Sequence, residues 1–116
     1  MGDQVAHYTL LVLTNPVSGR EDEYNDWYNN QHLSDLLAVE GFVAAQRFRL
    51  ADTDPPQEFG HRYLALYEIE TDDLAKTQAA LMAAANTDAM VVSEALDLSD
   101  PVTLFFSRIT ERVVAS

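Results

Sequence analysis

The sequence predicts an α+β fold of the ferredoxin-like class, in which a β-α-β-β-α-β chain forms a four-stranded antiparallel sheet with two helices on one face. Three observations predict it. Proline and glycine divide the chain into six segments, at Asn15-Pro16, Gly41, Asp54–Pro56, Gly60 and Asp100-Pro101. Four segments have strand-like patterns and two are helical. A chain of 116 residues also matches one typical domain. We therefore expect a single domain that spans residues 1–116.

The four strand segments are rich in β-branched, aromatic and leucine residues. The expected strands are Ala6–Thr14, Phe42–Leu50, His61–Glu70 and Val102–Val113. The first has apolar residues on both faces, a pattern typical of a strand that is covered on both sides.

The first helical segment, Arg20–Val39, begins with three acidic residues and is followed by Gly41. At 100° per residue its inward face carries Tyr24, Tyr28, His32, Asp35, Leu36 and Val39. The second helix is expected from Thr71, with an apolar stripe of Leu74, Leu81 and Met82. A further short helix is expected from Thr87 to Leu96.

Charge and composition exclude several classes of function. The 7 basic and 19 acidic residues give a net charge of −12, which argues against nucleic acids and anionic membranes as partners. The chain has no cysteine, so disulfides and thiolate sites are excluded. Its apolar runs are too short to span a membrane. The segment Met1–Gln4 carries no basic targeting signal, so we expect a cytoplasmic location.

Two helices can cover only one face of the predicted sheet, yet the other face is also apolar. It carries Leu11, Leu13, Leu64 and Leu66. A large exposed apolar patch usually marks an interaction surface. We therefore predict a homodimer in which two such sheets pack face to face about a two-fold axis.

The segment Glu23–Leu37 carries the most specific pattern. It contains Trp27-Tyr28, then His32 and Asp35, and is followed by Gly41-Phe42 and Gln46-Arg47-Phe48. This pattern resembles the EthD-like group of the dimeric α/β-barrel proteins, and the match covers about a third of the chain. The resemblance implies a ferredoxin-like domain that pairs as a dimeric α/β barrel. The group is functionally mixed, with isomerases, cyclases, cofactor-independent monooxygenases and haem peroxidases among the relatives of this barrel.

His32 and Asp35 are the candidate catalytic residues. A half-buried imidazole titrates near neutral pH and can pass a proton to or from a bound carbonyl, lactone or phenol. Asp35, one helical turn on, is placed to accept a hydrogen bond from it. The structural alternative is that His32 only packs between the helix and the sheet and has no catalytic role.

Aromatic residues and one arginine are the candidate ligand-binding residues. Tyr24, Trp27, Tyr28 and Tyr67 could form the wall of a pocket for a flat apolar molecule, or simply fill the core. Arg47 could hold an anionic group of a substrate with its planar guanidinium, or pair with a carboxylate across the sheet.

No metal or cofactor is expected, because the three histidines are scattered and the glycines are isolated. The leading hypothesis is a small homodimeric enzyme that binds an apolar or aromatic metabolite between the first helix and the sheet. It would use histidine acid–base chemistry of the isomerase, cyclase or cofactor-independent oxygenase type. The alternative is a non-catalytic ligand-binding or accessory protein. A third possibility, a haem-handling protein, rests on the haem-binding relatives.

Overall fold

The computed structural model describes residues 5–85 and 87–116. Four strands form one antiparallel sheet: β1 (Ala6–Thr14), β2 (Phe42–Arg49), β3 (Tyr63–Thr71) and β4 (Val102–Ser107). Their order across the sheet is β2-β3-β1-β4. This order and the α+β chain path confirm the predicted ferredoxin-like class. The N-terminal segment Met1–Gln4, used for the expected location, lies outside the described residues, as does Asn86.

Two helices lie on one face of the sheet. The first comprises α1 (Glu21–Trp27), a π-helical turn (Tyr28–His32) and α2 (Leu33–Leu37); the second is α3 (Leu74–Ala85). The core lies between these helices and the sheet. Its members include Leu10, Tyr24, Leu36, Tyr67 and Ile69.

The register places alternate residues of each strand on opposite faces. Leu10 pairs with Tyr67 and with Phe105 on the helix-covered face, and Arg47 pairs with Ala65 on that same face. On the open face Leu11 pairs with Leu66 and Leu104. Leu104 is 49% exposed and Phe106 is 50% exposed. Both faces are thus apolar, as the sequence predicts.

Two predicted elements are wrong in detail. Residues 87–96 form turns and extended chain instead of a helix. Several polar side chains there bond to nearby backbone, including Thr87 Oγ1 to the Ala84 carbonyl, and such bonds compete with helix formation. Strand β4 ends at Ser107 and not at Val113, so its pairing stops opposite Tyr8 near the start of β1.

The inward stripe of α3 also differs from the prediction. Thr77 is buried and Ala80, Leu81 and Ala84 pack against the core, whereas Met82 is 61% exposed. Asp73 precedes the helix and accepts a hydrogen bond from the Lys76 N–H (3.2 Å). This bond makes Asp73 the N-cap of the helix, which starts at Leu74, two residues later than an N-cap at Thr71 suggested.

Candidate functional site

The first helix is interrupted by a π-helical turn at the segment that carries the candidate histidine. The N–H of Leu33 bonds to the carbonyl of Tyr28, five residues back, and Tyr28–His32 forms the turn. Such turns are rare and occur frequently at functional sites. No proline or glycine in the segment signals it, so the sequence analysis missed it.

Tyrosine rings fill the space between this helix and the sheet. Tyr24 is 0%, Tyr28 2% and Tyr67 1% exposed. Tyr24 shares a 2.6 Å hydrogen bond with Thr14, and the Tyr67 hydroxyl donates to the Tyr28 hydroxyl at 3.3 Å. Burial raises the pKa of Tyr28 to about 12 and also raises that of Tyr67. Both hydroxyls therefore stay protonated at neutral pH and can act as hydrogen-bond donors.

His32 lies against two of the aromatic side chains. Its ring stacks on Trp27 with centroids 4.5 Å apart and meets Tyr28 edge-on at 4.9 Å. Its Nδ1 atom is buried and has no hydrogen-bond partner among the described residues. Buried polar atoms are normally paired, so an unpaired one calls for a functional or structural explanation.

Burial lowers the pKa of His32 from 6.5 to about 4; the Asp35 carboxylate opposes this shift and the Arg47 guanidinium adds to it. The imidazole is therefore neutral at neutral pH. This corrects the expectation that a half-buried ring titrates near neutral pH, which left out the desolvation of the imidazole among the surrounding side chains.

Asp35 does not hydrogen-bond to His32 in the structure. Its carboxylate accepts hydrogen bonds from the Gln31 amide at 2.9 and 3.1 Å and from the Val91 N–H at 3.4 Å. Trp27 Nε1 donates to the Val91 carbonyl at 2.8 Å. Trp27 and Asp35 thus attach the first helix to the loop that precedes β4.

Arg47 reaches from β2 to the first helix. It donates to the side-chain oxygens of Asn25 at 2.9 Å and Asn29 at 2.7 Å. Its guanidinium carbon lies 4.3 Å from the centre of the Tyr28 ring and 5.3 Å from that of Tyr63. These contacts combine hydrogen bonds with cation–π attraction. Within the part of the chain that is described, Arg47 makes no salt bridge.

An open cavity of about 430 Å³ adjoins this arginine. It is lined by Asn25, Asn29, Arg47, Phe48, Arg49 and Tyr63. A second cavity of about 430 Å³ also contacts Arg49, together with Glu21 and Arg62. Arg62 forms a salt bridge with Glu21 at 3.4 Å, and the Tyr63 hydroxyl donates to the same carboxylate. The Glu21 carboxylate therefore offsets the positive charge of Arg62.

The structure brings six of the seven predicted site residues into one cluster, in which Arg47 and the aromatic side chains surround the inner face of the first helix. Asp35, on α2, lies to one side of this cluster and bonds to the loop at Val91. Asn25 and Asn29 were missed, although their spacing of four residues on a predicted helix places them on one face. In residues 5–85 and 87–116, no three His, Asp or Glu side chains converge as metal ligands, and no helix is long and apolar enough to cross a membrane.

Three solved structures resemble this chain along nearly their whole length. An EthD family protein from Bacillus halodurans has a TM-score of 0.54 at 14% identity and aligns with 89% of this chain and 99% of its own. A candidate monooxygenase from Shewanella loihica has a TM-score of 0.61 at 10% identity, over 97% and 99% of the two chains. HapK from Hahella chejuensis has a TM-score of 0.58 at 15% identity, over 94% and 99%.

The chain shares its fold with these three proteins. This likeness confirms the expected resemblance at the level of the fold. No protein-family model matches the sequence, and no curated protein is significantly similar to it. Because the identities are low and one fold hosts many reactions, the function has to be argued from the site.

Proposed function

We propose that the chain is a small enzyme that binds an apolar or aromatic metabolite between its first helix and its sheet. His32 would move a proton in an isomerisation, cyclisation or cofactor-independent oxygenation. The observation that carries the proposal is the buried, unpaired Nδ1 of His32 inside an aromatic enclosure. The description of one similarly folded protein, from Shewanella loihica, as a candidate monooxygenase supports it.

We assign distinct roles to the residues of the proposed site. A neutral imidazole has a free lone pair, so His32 would accept a proton from the carbon next to a ligand carbonyl. The protonated hydroxyl of Tyr28 would stabilise the developing oxyanion by donating a hydrogen bond, and Tyr67 would support it by donating to Tyr28. Trp27 would hold the imidazole plane by stacking, and Arg47 would stabilise negative charge beyond Tyr28. Asp35 would contribute only indirectly, by linking the first helix to the loop through its hydrogen bond with Val91.

Hydrogen–deuterium exchange at the acidic carbon of 2-tetralone, followed by NMR in D₂O, tests proton abstraction without knowledge of the natural substrate. We expect wild-type protein to accelerate exchange above a buffer blank, His32→Ala to remove the acceleration, and Ser34→Ala, an exposed neighbour, to retain it. Circular dichroism would verify that all three proteins fold. A folded His32→Ala protein as active as wild type would contradict the catalytic role.

The second candidate function, a non-catalytic ligand-binding or accessory protein, is favoured by one observation. Tyr24, Tyr28 and Tyr67 are almost fully buried, so the chain's own side chains occupy much of the proposed ligand space. Exchange at the buffer rate in wild-type protein, together with saturable binding of 2-tetralone, would support this function over the enzyme.

We also propose that the protein is a homodimer through its open sheet face, and a cytoplasmic one. The exposed Leu104 and Phe106 and the half-buried Leu11 and Leu66 would be covered by the same face of a second copy. Stable interfaces cover about 800 Å² per partner, which a sheet of four strands can supply.

Sedimentation velocity tests the dimer. Wild-type protein is expected at twice the chain mass, and Leu66→Glu, which places a charge at the centre of the face, at the chain mass. Leu37→Glu is the matched control, because Leu37 is 40% exposed on α2, away from that face. A wild-type protein that sediments as a single chain at micromolar concentration would contradict the proposal.

A further inference from the structure

Two arginines of β2 carry positive charge that is only partly offset. The Glu21 carboxylate, which pairs with Arg62, also interacts with the charge of Arg49, while among the described residues no carboxylate bonds to Arg47. Arg47 and Arg49 lie two residues apart on one face of this edge strand and both line the open cavity of about 430 Å³. Among the described residues neither forms a salt bridge, whereas Arg20, Arg62 and Arg108 each pair with a glutamate. In a chain with a net charge of −12 and only seven basic residues, this is an unusual local excess of positive charge.

Arg47 is held in place without being neutralised. Its two hydrogen bonds go to the amide oxygens of Asn25 and Asn29, which are polar but uncharged. A guanidinium has five N–H donors, so three are left for a further partner. Stacking over Tyr28 fixes the plane of the group. The guanidinium is therefore preorganised to receive two oxygens of an anion side by side.

The lining of the cavity suits a flat organic anion better than an inorganic one. Tyr63 contributes aromatic surface, and no aspartate or glutamate lines this cavity. The adjoining cavity differs, because Glu21 and Asp52 line it. The strongly negative chain also disfavours ligands of multiple negative charge, so a monoanion is the better match.

We infer that the cavity between β2 and the first helix binds a small aromatic monocarboxylate, with the carboxylate held by Arg47 and Arg49 and the ring lying against Tyr63. Asn25 and Asn29 are positioning residues that hold the Arg47 guanidinium in place. The site goes beyond the proposed acid–base role, since His32 does not line it. The proposed carboxylate site would remain valid even if wild-type protein did not accelerate exchange of 2-tetralone.

Benzoate is the probe that tests the site, with the arginine Nε–H cross-peaks in ¹H–¹⁵N NMR spectra as the readout. We expect saturable shifts of the Arg47 and Arg49 peaks with benzoate. Benzyl alcohol, which has the ring but no charge, and inorganic phosphate, which has charge but no ring, should bind at least tenfold more weakly.

Three variants distinguish benzoate binding at a specific site from nonspecific attraction to positive surface charge. Arg49→Gln removes an exposed side chain and should weaken benzoate binding about tenfold to hundredfold, the range for a charged hydrogen bond. Arg47→Lys keeps the charge but loses the planar pair of donors, and should weaken it about tenfold or more. Arg112→Gln makes the same charge change in the exposed C-terminal segment and should leave binding unchanged.

Several results would overturn the inference. These are unsaturable or absent shifts with benzoate, benzyl alcohol binding as tightly as benzoate, phosphate binding more tightly than benzoate, or equal weakening by Arg49→Gln and Arg112→Gln. If Arg47→Lys fails to fold, Arg49→Gln still decides the outcome, because its side chain is exposed.

Discussion

Acidification should destabilise this protein through His32 in particular. The pKa of the folded imidazole is lowered from 6.5 to about 4 by burial. Between these values the unfolded chain binds more protons at this site than the folded chain does, so stability is lost as the pH falls from 6.5 towards 4. Well above pH 6.5 both states carry a neutral His32, and the site contributes no pH dependence.

The size of the effect follows from the pKa change. At about 1.4 kcal/mol per pKa unit, protonated His32 is about 3 kcal/mol less compatible with the folded state than neutral His32. At pH 5 the unfolded histidine is almost fully protonated and the folded one mostly neutral, so about 2 kcal/mol of this penalty is already present.

Urea unfolding of wild-type protein and His32→Gln at pH 7 and pH 5, at one protein concentration, isolates this contribution. Glutamine is neutral at both pH values, and the titration of every other group is common to both proteins. Wild-type protein should therefore lose about 2 kcal/mol more unfolding free energy than His32→Gln does between pH 7 and pH 5. Equal losses in the two proteins would refute the claim that burial holds His32 neutral.

Three substitutions, one of them a matched control, test the packing of the fold. Gly41 has φ +99°, and a Cβ there would lie 3.2 Å from Thr77 side-chain atoms, whereas Gly19 has φ +82° and nothing within 4 Å of an added Cβ. In urea unfolding, Gly41→Ala should therefore lower the unfolding free energy by about 2 kcal/mol or more, and the control Gly19→Ala by about 1 kcal/mol. Tyr24→Phe would leave the buried Thr14 hydroxyl without its partner and should lower Tm, with a loss of about 1 to 3 kcal/mol. Equal costs at the two glycines, or an unchanged Tm for Tyr24→Phe, would contradict this account.

The parts of the fold that the sequence predicted depend on local patterns. Strand alternation and proline or glycine at the boundaries located β1, β2 and β3 within two residues. Helical periodicity placed Tyr24, Tyr28 and Leu36 on the buried face, where the structure has them. The wrongly predicted helix at residues 87–96 also came from a local pattern, a possible N-cap at Thr87. That pattern does not show that the same side chain can instead bond to nearby backbone.

The parts of the site that the sequence did not predict depend on contacts between distant segments. Asp35 is held by Val91, 56 residues away, so its spacing from His32 was a poor guide to its partner. The contacts of Arg47 with Asn25 and Asn29 depend on how β2 sits against the helix. The low pKa of His32 likewise depends on burial, which residue spacing does not report.

The carboxylate cavity and the histidine are electrostatically connected through Arg47. Its positive charge helps to lower the pKa of His32, so an anion bound to Arg47 should partly cancel that effect and raise the pKa. NMR titration of the His32 ring with and without saturating benzoate measures the change, and His7, on β1, is the internal control. A rise in the pKa of His32 alone would mean that the bound anion makes the proposed catalytic base more basic. By linkage, protonation of His32 would then strengthen anion binding by the same factor. No rise despite saturable benzoate binding would show that the two sites act independently.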